Sequence, residues 1–338
     1  MSVTIRDVAR QAGVSISTVS RVLNDTCPVK EEKRRLVIDA AEQLGYSPNP
    51  AALSLLNKRT GGVGVLLPFV SGEFFSELLN GLDQAAQDEE LFLVVSTSHR
   101  HPAEFKKAIQ VLDKRVDGLV VMAPELDAAG TASILKTELP VVFINTYAES
   151  LSADVFNFDN YAGARALTQH FLDAGHRRIA LIQGPPQSRD AQERERGYRE
   201  AMAGAGFDGT DDLIVQGGFT REAGYAAATV AADLTPRPTA IVCANDYCAM
   251  GVMSALRALD ISVPEDIAVG GFDGLPSGQY TSPPLTTVQV PIGEIGYRAI
   301  RRLAVRLRGE DKGAPHQKHF VPVELVVRES SGAEVGAL

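Results

Sequence analysis

The sequence lacks the features that define several large classes of protein. It contains no run of about eighteen apolar residues, so nothing in it predicts a membrane-spanning helix. The first residues, MSVTIRDVARQ, carry charges where a secretory signal peptide needs an apolar segment. The three cysteines, Cys27, Cys243 and Cys248, form no CxxC pair, which argues against disulfides and thiolate metal sites. We therefore expect a cytoplasmic protein with no membrane partner, whose cysteines pack in its interior.

Enzyme signatures are missing as well. The chain has no HExxH, GxSxG or phosphate-loop lysine motif, and the histidines of HRH (99–101) and HQKH (316–319) lack metal-ligand partners at suitable spacing. The glycines of GGVGVLL (61–67) precede a strand instead of linking a strand to a helix, so they do not form a dinucleotide fingerprint. We expect no catalytic residue, no bound metal and no cofactor.

Charge is divided unevenly along the chain. The formal net charge of all 338 residues is −9. Residues 1–60 hold nine Lys and Arg against six Asp and Glu, a net charge of +3, whereas the remaining residues hold 24 against 36, a net charge of −12. A basic segment followed by an acidic body predicts that only the N-terminal segment meets a polyanion.

The basic segment has the spacing of a helix-turn-helix. Thr4 and Asp7 are spaced as a capping box at the start of a first helix. Gly13 can take the positive φ that a tight corner requires, and Ser15 or Ser17 can cap a second helix. The residues expected inside the head are Val19, Val22 and Leu23 on the second helix and Leu36, Ile38, Ala40, Ala41 and Leu44 on a third.

The outward face of the second helix carries Ile16, Ser17, Ser20 and Arg21 and no acidic residue. Short hydroxyls suit phosphates, arginine suits the edge of guanine, and an apolar side chain suits a thymine methyl group. We predict that this face enters the major groove of double-stranded DNA; the alternative is an amphipathic helix that faces only water. A basic cluster expected to contact phosphates opens the third helix and comprises Lys30, Lys33, Arg34 and Arg35.

Residues 47–60 are predicted to form a short hinge helix. Asn49 can cap it, Pro50 suits the first helical position, and Gly61 can end it. Two turns are marginal in water, so this helix should form only when it packs against something. Its leucines either dock on the body of the protein or, in a pair with a second copy, insert between base pairs of the minor groove.

Three segments carry a family resemblance: TIRDVARQAGVSISTVSRVLND (4–25), AAEQLGYSPNPAALSLL (40–56) and GVGVLLP (62–68). Together they resemble the lactose repressor/galactose repressor family of bacterial transcription regulators. The resemblance implies that Ile16, Ser17 and Arg21 read bases, that Ala52 lies on the hinge helix and that Leu55 is the minor-groove wedge. The departures are Lys30 and Lys33 in place of the usual hydroxyl residues and Leu53 in place of a frequent hinge arginine.

Beyond residue 61, short β-rich runs alternate with helical stretches, which predicts parallel sheets with right-handed crossovers. There are enough units for two sheets, separated around VFNFDNYAGARALTQHF (155–171). The expected fold is an all-α helix-turn-helix head joined by a hinge helix to an α/β body of two doubly wound parallel-sheet lobes, similar to periplasmic sugar-binding proteins. The resemblance implies crossings between the lobes near residues 160, 290 and 321. The expected domains are then the head (1–46), the hinge (47–60), the N-terminal lobe (61–160 and 291–321) and the C-terminal lobe (161–290 and 322–338).

Candidate effector residues follow the predicted strands. Phe74 and Phe75 are adjacent on one helix and cannot both face its core, so at least one should face the cleft; alternatively both pack at the domain edge. The family spacing of an arginine three residues before a glycine–aromatic pair selects Arg194, and Asp190 lies one turn earlier. The further candidates at strand ends are Asp159, Phe219, Asn245 and Asp273.

One arginine, several amides and carboxylates, and aromatic faces together suit a polyol. We expect a sugar or sugar derivative as effector, and a purine or nucleoside stacked between the aromatic rings as the second choice. Val290 stands where relatives often carry glutamine, so one polar contact should be absent. The expected protein is a homodimeric, ligand-responsive repressor of a pseudo-palindromic operator, with inducer and co-repressor polarity both open. A sugar-binding protein without DNA activity is the alternative class.

Overall fold

The computed structural model describes residues 3–23, 29–46, 59–98, 102–124, 128–147, 152–207 and 209–332. The predictions for Ala52, Leu53 and Leu55 of the hinge, and for Cys27, concern residues outside these ranges. The chain divides into two compact units, Met1–Gly61 and Gly62–Leu338, which are called the head and the body below.

The head contains α1 (Ile5–Ala12), α2 (Ile16–Leu23) and α3 (Glu31–Leu44). The predicted capping box is confirmed, since the Asp7 carboxylate accepts hydrogen bonds from the Thr4 backbone N–H (3.0 Å) and hydroxyl (2.7 Å). Gly13 ends α1 in the left-handed conformation with φ 65°, as the corner requires. The Ser15 hydroxyl accepts from the Thr18 backbone N–H (3.2 Å) and caps α2.

The core of the head corrects one prediction. Leu36 and Ile38 were expected inside, but 48% and 39% of their surfaces are exposed. Val37 is fully buried instead, beside Ala40 and Ala41. The reason is helical geometry: residues 37, 40 and 41 share one face, whereas residues two apart, such as 36 and 38, lie on different faces. The burial of Val19 and Val22 on α2 is confirmed.

The body is built from alternating strands and helices. Its strands are β1 (Gly62–Leu67), β2 (Phe92–Thr97), β3 (Gly118–Met122), β4 (Val141–Ile144), β5 (Asp154–Phe158), β6 (Ile179–Gln183), β7 (Ile214–Gln216), β8 (Ala240–Cys243), β9 (Ala268–Asp273), β10 (Thr286–Gln289), β11 (Lys318–Val321) and β12 (Glu324–Val326). Its helices are α4 (Glu73–Asp88), α5 (Pro102–Leu112), α6 (Ala128–Ile134), α7 (Asn160–Asp173), α8 (Arg189–Gly204), α9 (Arg221–Asp233), α10 (Asp246–Ala258) and α11 (Ile292–Arg308). None of the helices in the described ranges has the length and apolar character needed to span a bilayer.

These strands form two six-stranded sheets, which confirms the predicted two-lobed fold. The first lobe has the order β11-β5-β4-β3-β1-β2, and all of its neighbours are parallel. The second has the order β12-β10-β9-β8-β6-β7. Its edge strand β12 runs antiparallel to β10, so the expectation of purely parallel sheets is wrong at that edge. The chain crosses between lobes after β5, after β10 and between β11 and β12.

The packing of the body depends on close helix approaches. In the second lobe, Cys243 and Cys248 are buried among aliphatic side chains, which confirms their predicted role in packing.

In the first lobe, α4 lies against α11. An added Cβ at Gly81 of α4 would lie only 1.8 Å from the carbonyl oxygen of Gly293.

We predict that Gly81→Ala destabilises the body by about 3 kcal/mol, because overpacking a close backbone contact forces the helices apart. Guanidinium unfolding followed by circular dichroism measures this change. Gly204→Ala is the matched control, since an added Cβ at this helical position meets no atom within 4 Å. If the two variants are equally stable, the α4–α11 contact is not as close as described.

Candidate functional site

A cavity of about 350 Å³ lies in the body between the carboxyl ends of the strands of the two lobes. Parallel α/β sheets bind ligands at this edge because loops and helix N-termini converge there. The lining residues from the first lobe are Pro68, Phe69, Ser71, Phe74, Phe75, Met122, Pro124, Asn145 and Phe158. Those from the second lobe are Pro185, Gln187, Ser188, Asp190, Arg194, Phe219, Asn245, Tyr247 and Asp273.

The structure brings most of the predicted effector residues together. The lining includes Phe74, Phe75, Asp190, Arg194, Phe219, Asn245 and Asp273. Asp159 is not among them: it precedes α7, and its carboxylate accepts from the Ala162 backbone N–H (2.9 Å) as a helix cap. Helix capping is the common role of an aspartate that follows a strand.

Arg194 is the centre of the polar part of this cavity. Its Nε donates to Asn160 Oδ1 (2.7 Å) and its Nη1 to the carbonyl oxygen of Ala244 (2.5 Å). Its Nη2 forms a buried ion pair with Asp273 Oδ1 (3.2 Å). The guanidinium also lies 3.7 Å from the centre of the Phe272 ring. A charge that is only 6% exposed is tolerated here because a counter-charge and several acceptors surround it.

Asp190 lies one helical turn before Arg194 and joins the two lobes. Its carboxylate accepts from Asn145 Nδ2 (2.7 Å) and Tyr147 Oη (3.1 Å) of the first lobe, and from Asn160 Nδ2 (2.9 Å) of the second. Burial raises the pKa of Asp190, although Arg194 and these three donors act in the opposite direction. The first lobe is thereby fastened to the same cluster as Arg194.

The orientation of the Asn145 side chain leaves one acceptor without a partner. Because its amide nitrogen donates to Asp190, its Oδ1 must be the free end, and this buried atom has no hydrogen-bond partner within the described residues. The backbone of Asn145 is in the left-handed region, with φ 48°, which asparagine tolerates better than most residues. Asn145 is not among the residues predicted from the sequence, although it follows a strand just as Asn245 does.

Two further aspartates have strongly raised pKa values. Burial raises the pKa of Asp273 to about 6 despite the Arg194 guanidinium. Burial and the neighbouring Asp273 carboxylate raise the pKa of Asp246 to about 8. Asp246 accepts from the Leu275 backbone N–H (2.6 Å) and is bonded to the Thr287 hydroxyl (2.5 Å). Asp246 is therefore mainly uncharged at neutral pH.

A second contact between the lobes lies at the start of α4. The Glu73 backbone N–H donates to the Tyr247 hydroxyl (2.7 Å), and Glu73 Oε2 accepts from the Ser277 backbone N–H (2.8 Å). Aromatic rings line the cavity from both lobes, and both Phe74 and Phe75 take part, with ring centres 5.4 Å apart. The cavity thus combines apolar walls with one polar cluster.

In the head, α2 presents the predicted face. Ile16 is 46% exposed, Ser17 and Arg21 are exposed, and Ser20 is half-buried. The face carries no acidic residue. At the start of α3, Lys30 makes no side-chain capping bond, as expected where a hydroxyl residue is replaced. Ile16 is not part of the hydrophobic core that the described residues of the head form.

The head, the two-lobed body and the cleft define the class of ligand-responsive DNA-binding regulators. Residues 4–49 match the family described as bacterial regulatory proteins, lacI family, and residues 168–331 match the periplasmic binding protein-like domain. The chain belongs to the LacI family. Members of this family are transcription regulators and not enzymes.

Individual relatives agree over nearly the whole chain. The HTH-type transcriptional repressor PurR of Photobacterium profundum is 34% identical over 329 residues, 97% of this chain and 98% of that protein. The Lac repressor dimer bound to operator and the anti-inducer ONPF has a TM-score of 0.89 and 28% identity, covering 98% and 99% of the two chains. The complex of the transcriptional regulator CelR with cellobiose has a TM-score of 0.73 and 30% identity, covering 97% and 99%.

We predict that the contribution of Asp246 to the stability of the body falls as pH rises from about 4 to about 8. The folded state keeps a proton on Asp246 in this range that the unfolded chain releases, so rising pH favours unfolding. Asp246→Asn should remove this contribution and melt at a higher temperature than the unaltered protein at pH 8–9, with a difference that shrinks towards pH 5. Thermal melts followed by circular dichroism at several pH values measure it.

The exposed Asp233 provides the control for this experiment. Asp233→Asn makes the same chemical change on an exposed side chain, whereas Asp246 is buried. A constant offset for Asp246→Asn across the same range would show that Asp246 is already ionised in the folded protein.

Proposed function

We propose that the chain is a repressor whose paired heads bind the two halves of a pseudo-palindromic operator and whose cavity binds a small sugar-like effector. The observation that carries the proposal is the cavity itself, where Arg194, Asp273 and Asn245 converge beside aromatic rings. Operator DNA lies in the bacterial cytoplasm, and we place the protein there.

The acid-free face of α2 supports the DNA-binding part. Arg21 can donate to the major-groove edge of guanine, and the exposed Ile16 can contact a thymine methyl group. Ser17 and Ser20 suit phosphate oxygens or base edges. Ala52 and Leu55 of the hinge remain predicted minor-groove residues that lie outside the described ranges.

The polar cluster supports a sugar effector. The described residues accept three of the five N–H groups of Arg194, and ligand hydroxyls can accept from the others. A volume of about 350 Å³ is near the lower end of ligand cavities, which favours a small ligand over a long oligosaccharide. The relative CelR has been solved in complex with cellobiose. Sugar hydroxyls and a stacked sugar face match this combination of groups.

A purine or nucleoside is the second candidate. Aromatic rings line the cavity from both lobes, with Phe74 and Phe158 on one side and Phe219 and Tyr247 on the other. A planar base can be held between two such walls. In either case the effector shifts DNA affinity only if it binds one arrangement of the lobes more tightly than another, so inducer and co-repressor use the same parts.

We predict that Arg21→Ala weakens binding to the operator by about 10- to 100-fold, since one bidentate base contact contributes about 1–3 kcal/mol. Binding to random DNA should change far less. Electrophoretic mobility shifts at fixed salt measure both affinities. Lys33→Ala is the comparison variant, because loss of a phosphate contact should weaken both complexes by the same factor. An unchanged preference for the operator in Arg21→Ala would exclude Arg21 as a base-reading residue.

We predict that Arg194→Lys strongly reduces the rise in melting temperature that the effector causes in a thermal-shift screen of sugars and nucleosides. Lysine keeps a charge beside Asp273 but loses the fixed fork of donors, so affinity should fall by at least about tenfold. Arg196→Lys, two residues along α8 on an exposed side chain, should keep the full response. An intact response in Arg194→Lys would remove Arg194 from the site.

A further inference from the structure

The charges on the cavity wall do not balance. Asp190, Arg194 and Asp273 are the charged residues among the described lining residues. Asp273 already neutralises Arg194 at 3.2 Å. When all three are ionised, the wall therefore carries one excess negative charge, which belongs to Asp190. A ligand anion placed here would lose its hydration beside like charges.

Side-chain caps occupy helix N-termini of the second lobe within the described residues. Helix N-termini commonly bind phosphates, and several point towards this edge of the sheets. In the second lobe, however, each helix N-terminus has a side-chain cap: Asp159 for α7, Ser188 for α8, Thr220 for α9 and Asn245 for α10. The start of α4 has no such cap, but it carries the Glu73 carboxylate in its first turn.

The cavity wall offers one buried acceptor to a donor on the ligand. Asn145 lines the cavity, its amide nitrogen is fixed by Asp190, and its buried Oδ1 lacks a partner among the residues described. Leaving such an acceptor unpaired is unfavourable, and a ligand hydroxyl or N–H would recover the loss. A ligand hydroxyl or N–H can donate to this acceptor, whereas an ionised phosphate or carboxylate oxygen cannot.

We propose that the effector is an uncharged molecule rich in hydrogen-bond donors, and that the cavity excludes its phosphorylated or carboxylated derivatives. This proposal rests on the proposed function, in which this cavity is the effector site. Asp190 is the residue that determines the exclusion, because Arg194, the cation among the described lining residues, is already paired with Asp273. A site can discriminate through repulsion of the wrong ligand as well as through attraction of the right one.

Matched pairs of compounds test the proposal on the full chain. The pairs are glucose and glucose 6-phosphate, galactose and galactose 6-phosphate, ribose and ribose 5-phosphate, and adenosine and adenosine 5′-monophosphate. Thermal shifts identify the pairs that bind, and titration calorimetry measures both members. We expect at least one uncharged member to bind and its phosphate ester to bind at least about 100-fold more weakly, a difference of about 2.7 kcal/mol.

The outcomes separate the two proposals. An ester that binds as tightly as its uncharged partner overturns the exclusion but leaves the effector site in place. A complete lack of response to every pair overturns the assignment of the cavity to sugars and nucleosides, and the exclusion with it. Operator binding in a mobility-shift assay stays a separate test of the head.

Variants of the cavity connect the effect to Asp190. Asp190→Asn removes the charge at nearly constant shape and should reduce the discrimination between ester and uncharged partner by about tenfold. Asp211→Asn, on an aspartate that is 84% exposed, should leave it unchanged. If Asp190→Asn does not fold, Gln187→Lys adds a cation at an exposed position of the lining and should also reduce the discrimination. Unchanged discrimination in the folded variants would contradict the role of the wall charge.

Discussion

A buried arginine remains in a protein only where neighbouring groups accept its N–H donors and balance its charge. Arg194 meets this condition through Asn160 on α7, the Ala244 carbonyl after β8 and Asp273 at the end of β9. One side chain of α8 thereby holds together the ends of several elements of the second lobe. Asn160 also donates to Asp190, whose carboxylate receives donors from the first lobe. The cavity exists because these bonds position its walls.

This cluster is not arranged for maximal stability. The pKa of Asp273 lies near 6 even beside a guanidinium, so burial disfavours the carboxylate more than the ion pair favours it. Its backbone φ of 107° is in a region that side-chain-bearing residues rarely adopt, and Asn145 has φ 48°. Strain, buried charge and an unpaired acceptor thus occur together at one place. Such features persist at functional sites, where ligand recognition requires groups that packing alone would not retain.

Local patterns in the sequence were sufficient for the elements and for much of the site. The capping box at Thr4, the corner at Gly13 and the exposed face of α2 follow from residues only a few positions apart. The cavity residues were found because strand ends converge in parallel sheets. The assignment of Leu36 and Ile38 to the core was wrong because residues two apart on a helix lie on different faces.

The hydrogen-bonding partners could not be read from the sequence, because they are distant along the chain. Arg194 is 34 residues from Asn160 and 79 from Asp273, and Asp190 is 45 from Asn145. Only the fold determines that Asn145 reaches the cavity while Asp159 caps a helix. For the same reason, the charge balance of the wall follows from tertiary pairing and not from the number of charged candidates.

The polar cluster also suggests how a ligand could act on the lobes. The Asn145 acceptor is oriented by its bond to Asp190 of the opposite lobe, so a ligand donor meets it in this geometry only while that bond between the lobes exists. Binding and the interlobe contact then favour the same arrangement, and by linkage each strengthens the other. The free energy that couples ligand binding to the interlobe contact cannot exceed the difference in ligand affinity between the two arrangements of the lobes. A ligand with equal affinity for both would leave their equilibrium unchanged. Whether the effector induces or represses is then decided by which arrangement is compatible with operator binding.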